Sequence, residues 1–115
     1  MMRRMTNFEC GDVILVPFPF TDQTNHKQRP AIIVSTSAYN TERPDLIIMA
    51  VTSQIRAENS FDCLVSDWQA AGLLKPSAAK PVIATIEQGL VIKRLGRLTE
   101  ADQRAVSAAL RKMLA

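Results

Sequence analysis

Apolar residues fall in short dense runs along most of the chain and in a helical stripe only at its end. The run "DVILVPFPF" predicts a strand from Asp12 to about Phe18, with Pro17 and Pro19 demoting its end to an edge or a bend. "PAIIVS", opened by Pro30 and closed by Ser35, predicts a second strand. "DLIIMAVTS", Asp45 to Ser53, is almost wholly apolar and rich in β-branched residues, which places a third strand at the sheet centre. "SFDCLVS" alternates, with Phe61, Cys63 and Val65 on one face, and suits a half-exposed fourth strand. "VIATIE", Val82 to Glu87, is a fifth. Between the last two, "DWQAAGL" reads as a short helical turn ending at Gly72.

The period changes at the end of the chain. Val106, Leu110 and Met113 fall at i, i+4 and i+7, with Ala109 and Leu114 beside them, so the segment predicts a helix with one apolar stripe. Thr99 is its N-cap candidate, and Asp102 three residues on completes a variant of the capping box. Arg111 and Lys112 occupy the last turn, where the helix dipole favours cations.

Short strands followed by a terminal helix imply a mainly β fold: a small, strongly bent antiparallel sheet or partly open barrel, plugged by the helix. A chain of 115 residues is expected to be a single domain spanning 1–115, with residues 1–7 loose. Small barrels of this kind often complete their burial by self-pairing, so a homodimer is expected.

Composition narrows the class. Hydrophobic residues make up 47% and charged residues 22%, the balance of a folded protein rather than a disordered one. The longest apolar stretch, "VILVPFPF", is far short of a membrane span, and the arginines near the start precede no apolar run. The expectation is a cytoplasmic protein with no membrane partner. Cys10 and Cys63 lie far apart in no C-x-x-C pattern, which argues against a zinc or redox motif and fits a reducing compartment; a disulfide between them is the alternative. The formal net charge of +3 is compatible with a polyanionic partner without demanding one. The cations are distributed suggestively: Lys27 and Arg29, Lys75 and Lys80, and Lys93, Arg94 and Arg97 lie in loops or at strand ends, where they can converge or simply be solvated.

The usual catalytic signatures are missing. The sequence has one histidine, no ligand-spaced carboxylate pair, no Gly-rich phosphate loop and no G-x-S-x-G elbow. What remains is Arg, Thr, Ser, Lys and His26. That set suits phosphoryl chemistry without a metal, because a guanidinium binds two phosphate oxygens and stays charged, while a strand-end hydroxyl can donate to developing negative charge. Arg29 stands where the polar stretch "TDQTNHKQ" meets the buried run that begins at Pro30.

"GDVILVPFPFTD", a polar loop, "QRPAIIVS" and then "IIMAVTSQ" resemble, in order and spacing, the PemK/MazF-like family of toxin–antitoxin ribonucleases. The tail "IATIEQGLVIKRLGRLTEADQRAVSAAL" resembles that family's last strand and C-terminal helix, so the likeness runs from Gly11 to Leu114. It implies an SH3-like barrel, a homodimer, no metal or other cofactor, and sequence-selective cleavage of single-stranded RNA to 2′,3′-cyclic phosphate and 5′-hydroxyl ends. It also implies a cognate antitoxin that wraps the toxin and blocks the RNA site.

Carried onto this sequence, the resemblance makes Arg29 the catalytic arginine and Thr52 the catalytic threonine. Lys27, Gln28, Ser53, Gln54 and Lys80 are the candidate RNA-binding residues around them, and Phe18, like Phe20, can stack on splayed bases or serve the core or dimer interface. The sequence also departs from the family. The first loop lacks the acid many members carry there, and "AKPVIAT" offers Lys80 without a following acid. His26, the loop's one group that titrates near neutrality, is the substitute candidate for acid–base work, against the bland alternative of an exposed loop histidine. Trp68 reads as a packing anchor rather than a base platform. Two rival functions remain: a gyrase-poisoning toxin of the same fold, and a non-catalytic barrel used as a binding module.

Overall fold

The structure is a computed structural model that describes residues 7–17 and 27–115. Among these residues, six strands form one antiparallel sheet: β1 (Asp12–Pro17), β2 (Gln28–Ile33), β3 (Asp45–Thr52), β4 (Cys63–Val65), β5 (Ser77–Glu87) and β6 (Lys93–Arg97). Their order across the sheet is β4-β5-β3-β2-β1-β6, with β3 inside it as its apolar run requires. Helix α1 (Ser37–Glu42) joins β2 to β3, and helix α2 (Glu100–Met113) closes the chain. The fold is mainly β, a curled antiparallel half-barrel with a C-terminal helix.

Alternation along the strands sorts apolar side chains onto two faces. Val13, Ile32, Met49, Val51 and Val65 share one core with Ala71, Leu73, Leu98 and Val106, and Trp68, Leu110 and Met113 pack against it. The helical stripe and the Trp68 anchor thus do what their spacing predicts; Leu114, one residue past α2, is exposed instead. Ile14, Val16, Ala31, Ile33, Leu46, Ile48 and Ala50 form the second core, against which Phe8, Val82, Ala84 and Ile86 pack.

The capping box forms only in part. Thr99 Oγ1 accepts the Asp102 N–H at 3.2 Å. The Asp102 carboxylate does not turn back to Thr99; it accepts from the Ser66 and Asp67 N–H groups at 3.1 and 2.9 Å and ties α2 to the turn after β4. Those two amides, in the turn after β4, are paired through the buried Asp102 side chain.

Two elements run against the sequence expectation. β6, "KRLGR", is a strand although three of its five residues are cations. β5 begins at Ser77 rather than Val82, because a bulge takes up Pro81: Lys80, Pro81 and Val82 lie opposite Ala50 alone, between the Val51–Ala79 and Met49–Ile83 partners. The expected fourth strand shrinks to three residues, and "DWQAAGL" is a run of turns that ends with Gly72 at φ +85°. There the 71–72 segment crosses β6 closely: a Cβ on Gly96 would lie 2.4 Å from the Ala71 carbonyl oxygen, and one on Gly72 would lie 2.1 Å from that of Leu95. Glycine at both positions lets the segment following the β4 edge reach the β6 edge.

Cys10 and Cys63 are free thiols, and burial raises the pKa of each. Among the described residues no helix is long and apolar enough to cross a membrane. The expectation of a loose start falls mainly on residues 1–6, outside the described ones.

Candidate functional site

The candidate residues sit at one end of the central strands. Lys27 precedes β2, and Gln28 and Arg29 open it; all three are exposed. Arg29 partners Val16 on β1 and Gln28 partners Pro17. Thr52, half-buried, is the last residue of β3 and partners Ala78 on β5. The β2–β3 partners are Ala31–Ala50, Ile32–Met49 and Ile33–Ile48, and the same register continued by two residues sets Arg29 opposite Thr52. Period-2 alternation puts both on the face carrying Ala31, Ile33, Ile48 and Ala50. Ser53 and Gln54 leave β3 exposed, and half-buried Lys80 lies on the neighbouring strand within its bulge.

The Thr52 hydroxyl has a defined local role. Its Oγ1 accepts the Gln54 N–H at 3.0 Å, a turn that folds the chain back as it leaves the strand. With a lone pair so engaged, the hydroxyl proton is free to donate outward.

Among the described residues, Lys27, Arg29 and Lys80 form no ion pair, whereas Arg43, Arg94, Arg97 and Arg104 each do. Arg94 and Arg97, which the sequence offered as further converging cations, are committed elsewhere. Arg94 Nη2 lies 3.0 Å from Oδ2 of buried Asp12, and Arg97 Nη1 donates to Asp12 Oδ1 at 2.8 Å. The Glu9 N–H donates to the same carboxylate at 2.9 Å, and the Arg94 guanidinium also covers the Phe8 ring at 5.5 Å. Asp12 of the Gly-Asp opening therefore pins β6 to β1, at the opposite end of β1 from Val16 and Arg29.

The structure thus gathers Lys27, Gln28, Arg29, Thr52, Ser53 and Gln54 at one end of β2 and β3, with Lys80 on the adjacent strand. His26, Phe18 and Phe20 lie outside the described residues.

A curled antiparallel half-barrel closed by a C-terminal helix, with cations and a hydroxyl at one strand end, is the architecture of a small toxin-type barrel. Over residues 9–114 the chain matches the PemK-like, MazF-like toxins of type II toxin–antitoxin systems, and it belongs to that family. Among curated proteins none matches it in sequence. Its fold is similar to that of an endoribonuclease solved with its cognate antitoxin from a mycobacterial species, at TM-score 0.73 and 18% identity, covering 94% of this chain and 93% of that one. The Mycobacterium tuberculosis toxin MazF-mt6 is similar at TM-score 0.72 and 17% identity, covering 88% and 93%. The MazE–MazF structure from Deinococcus radiodurans is similar at TM-score 0.74 and 16% identity, covering 94% and 96%.

Proposed function

We propose that this toxin is an endoribonuclease that cleaves single-stranded RNA at sequence-selected sites without a metal. The observation that supports the proposal is that Arg29, a cation with no ion-pair partner among the described residues, lies on β2 two positions beyond the Ala31–Ala50 partners, while Thr52, whose hydroxyl oxygen accepts the Gln54 N–H, ends β3 two positions beyond them. The substrate's own 2′-hydroxyl attacks the adjacent phosphorus, the bond to the 5′-oxygen breaks, and the ends are a 2′,3′-cyclic phosphate and a 5′-hydroxyl. The enzyme then needs no nucleophile of its own, and DNA does not react. Arg29 neutralises the non-bridging oxygens as charge accumulates on them, and Thr52 donates a hydrogen bond to one. Arg29 serves in this scheme as a fixed positive charge, and proton transfer falls to another group, for which His26 as base or acid is the candidate. Lys27, Lys80, Gln28, Ser53, Gln54 and Phe18 hold the strand on either side.

The same reading makes the protein a homodimer held in check by a cognate antitoxin, whose acidic segment competes with RNA for Arg29 and its neighbouring lysines. The family match and the likeness to a toxin solved with its antitoxin support this part.

The test is cleavage of single-stranded RNA by the purified protein in EDTA. Cleavage with cyclic-phosphate ends is expected. Cleavage only after Mg²⁺ is added overturns the mechanism, and no cleavage with or without metal overturns the activity. Antitoxin is expected to abolish cleavage; a ternary complex that still cuts RNA removes the competition.

A further inference from the structure

We infer that Pro30 is a positioning residue of this site: its missing N–H ends the β2–β3 ladder beside Arg29 and Thr52 and keeps the two strands from zipping together there. The inference rests on the reading of that pair as the reacting groups.

In an antiparallel pair, alternate residues point their N–H and C=O at a given neighbour. The Val34 N–H donates to the Ile47 carbonyl at 2.9 Å, so the residues of β2 that aim at β3 are Val34, Ile32 and Pro30. Both ends of this short ladder then have a cause. At one end the Ile47 N–H is diverted to Ser35 Oγ at 3.1 Å, and pairing begins with Ile33–Ile48. At the other end the next donor would be residue 30, aimed at the Val51 carbonyl. It is a proline and has nothing to donate. Pairing stops at Ala31–Ala50.

The flanking strands do not stop there. β1 remains partnered with β2 as far as Gln28, and β3 with β5 as far as Thr52–Ala78. The sheet is therefore forked. One prong carries Arg29 on β1–β2, the other carries Thr52 on β3–β5, and Pro30 lies at the crotch. Its ring also biases Arg29 to extended backbone, which keeps the guanidinium at the mouth.

In a closed ladder, opposed side chains have Cβ atoms about 4.5–5.5 Å apart and crowd one another. An open fork leaves room over this face for a phosphate group to meet the tips of both side chains. An alanine at position 30 would supply the donor and draw the prongs together.

The experiment is Pro30→Ala, followed by amide hydrogen exchange and by RNA cleavage kinetics. The new amide at residue 30 is expected to be protected from exchange. The cleavage rate constant kcat is expected to fall about 10²-fold, the usual cost of misplacement near 1 Å, with a smaller change in KM and no loss of melting temperature. A semisynthetic chain carrying N-methylalanine at position 30, which lacks both the ring and the N–H, is expected to keep the parent rate. A freely exchanging amide, or a protected amide with the parent rate, overturns the inference. So does an N-methylalanine chain as slow as Pro30→Ala, which would credit the ring instead. A parent protein that cuts no RNA overturns the reading of Arg29 and Thr52 and the positioning role with it, while amide protection separately reports whether Pro30 keeps the ladder open.

Discussion

The arginines of β6 and the arginine of β2 occupy similar sequence contexts and opposite physical situations. Each flanks or enters a short strand of the same sheet. Arg94 and Arg97 are bound to a carboxylate that is almost wholly removed from water, with only 5% of its side chain exposed. Arg29 is exposed and has no carboxylate partner among the described residues. A guanidinium satisfied by its own protein contributes to structure; one left without a counter-charge is available to a foreign anion. The comparison separates the binding cations from the structural ones, which charge counts along the chain do not.

The sharpest way to break it is Arg29→Ala. Cleavage is expected to fall ~10²–10³-fold, with the melting temperature where it was, because the side chain is exposed and forms no ion pair among the described residues. A near-parent rate in a folded Arg29→Ala protein would remove Arg29 from the site. Asp12→Ala is the mirror experiment. It is expected to cost about 1–3 kcal/mol of stability by stripping a buried acceptor from an N–H and two guanidinium partners, while the folded fraction cleaves RNA normally. The lower part of that range is favoured because both guanidinium groups are more than a third exposed and can rehydrate. Urea unfolding alongside cleavage per folded molecule checks both statements, and lost cleavage in stable Asp12→Ala would show that the β1–β6 seam feeds the site. Arg97→Ala should cost less, up to about 1 kcal/mol, since Arg94 still reaches Asp12.

The smallest expected effect concerns the surroundings of a fourth arginine, Arg43. Tyr39 Oη donates to Asp45 Oδ2 at 2.8 Å, and Arg43 Nε lies 3.1 Å from Oδ1. The Asp45 carboxyl pKa is held below its ordinary value, first by the Tyr39 hydrogen bond and then by Arg43, with partial desolvation opposing them. Because the folded pKa is the lower one, this contribution is present above the unfolded value of ~3.9 and is lost as pH falls through the folded value. Tyr39→Phe should therefore lower stability by a small constant amount at all pH above the unfolded value, neutrality included, and the difference from the parent should vanish as pH falls through the folded value. A Tyr39→Phe curve parallel to the parent's at every pH would deny the coupling.

The sequence disclosed strands and helix wherever hydrophobic periodicity was strong. β1, β2, β3 and α2 lie close to their expected bounds for that reason. β6 was hidden because Lys93, Arg94 and Arg97 read as a solvated segment; pairing with β1 makes them a strand, and the buried Asp12 on that strand takes up two of the cations. α1 was hidden because "SAYNTE" has no apolar stripe. It is fixed by tertiary bonds: Asn40 Nδ2 donates to the Phe8 carbonyl at 3.0 Å, and Gln88 Nε2 donates to the Asn40 carbonyl at 2.8 Å. In the site, Arg29 and Thr52 were legible as residue types at strand ends. Their register was not, because the short polar and proline signals that set it act between strands rather than along one.

Asp12 and Arg97 meet across 85 positions of chain. A loop of that length must be closed before the seam yields any energy, whereas β2 and β3 find one another over a short connection. Order of assembly follows from this: the strands carrying Arg29 and Thr52 pair early, and β6 docks late. Substitutions at Asp12 should then accelerate unfolding and leave the refolding rate nearly untouched. During synthesis, β1 waits with one edge bare until Arg97 has emerged, so the newborn chain holds both prongs of its fork well before it has a finished barrel to brace them.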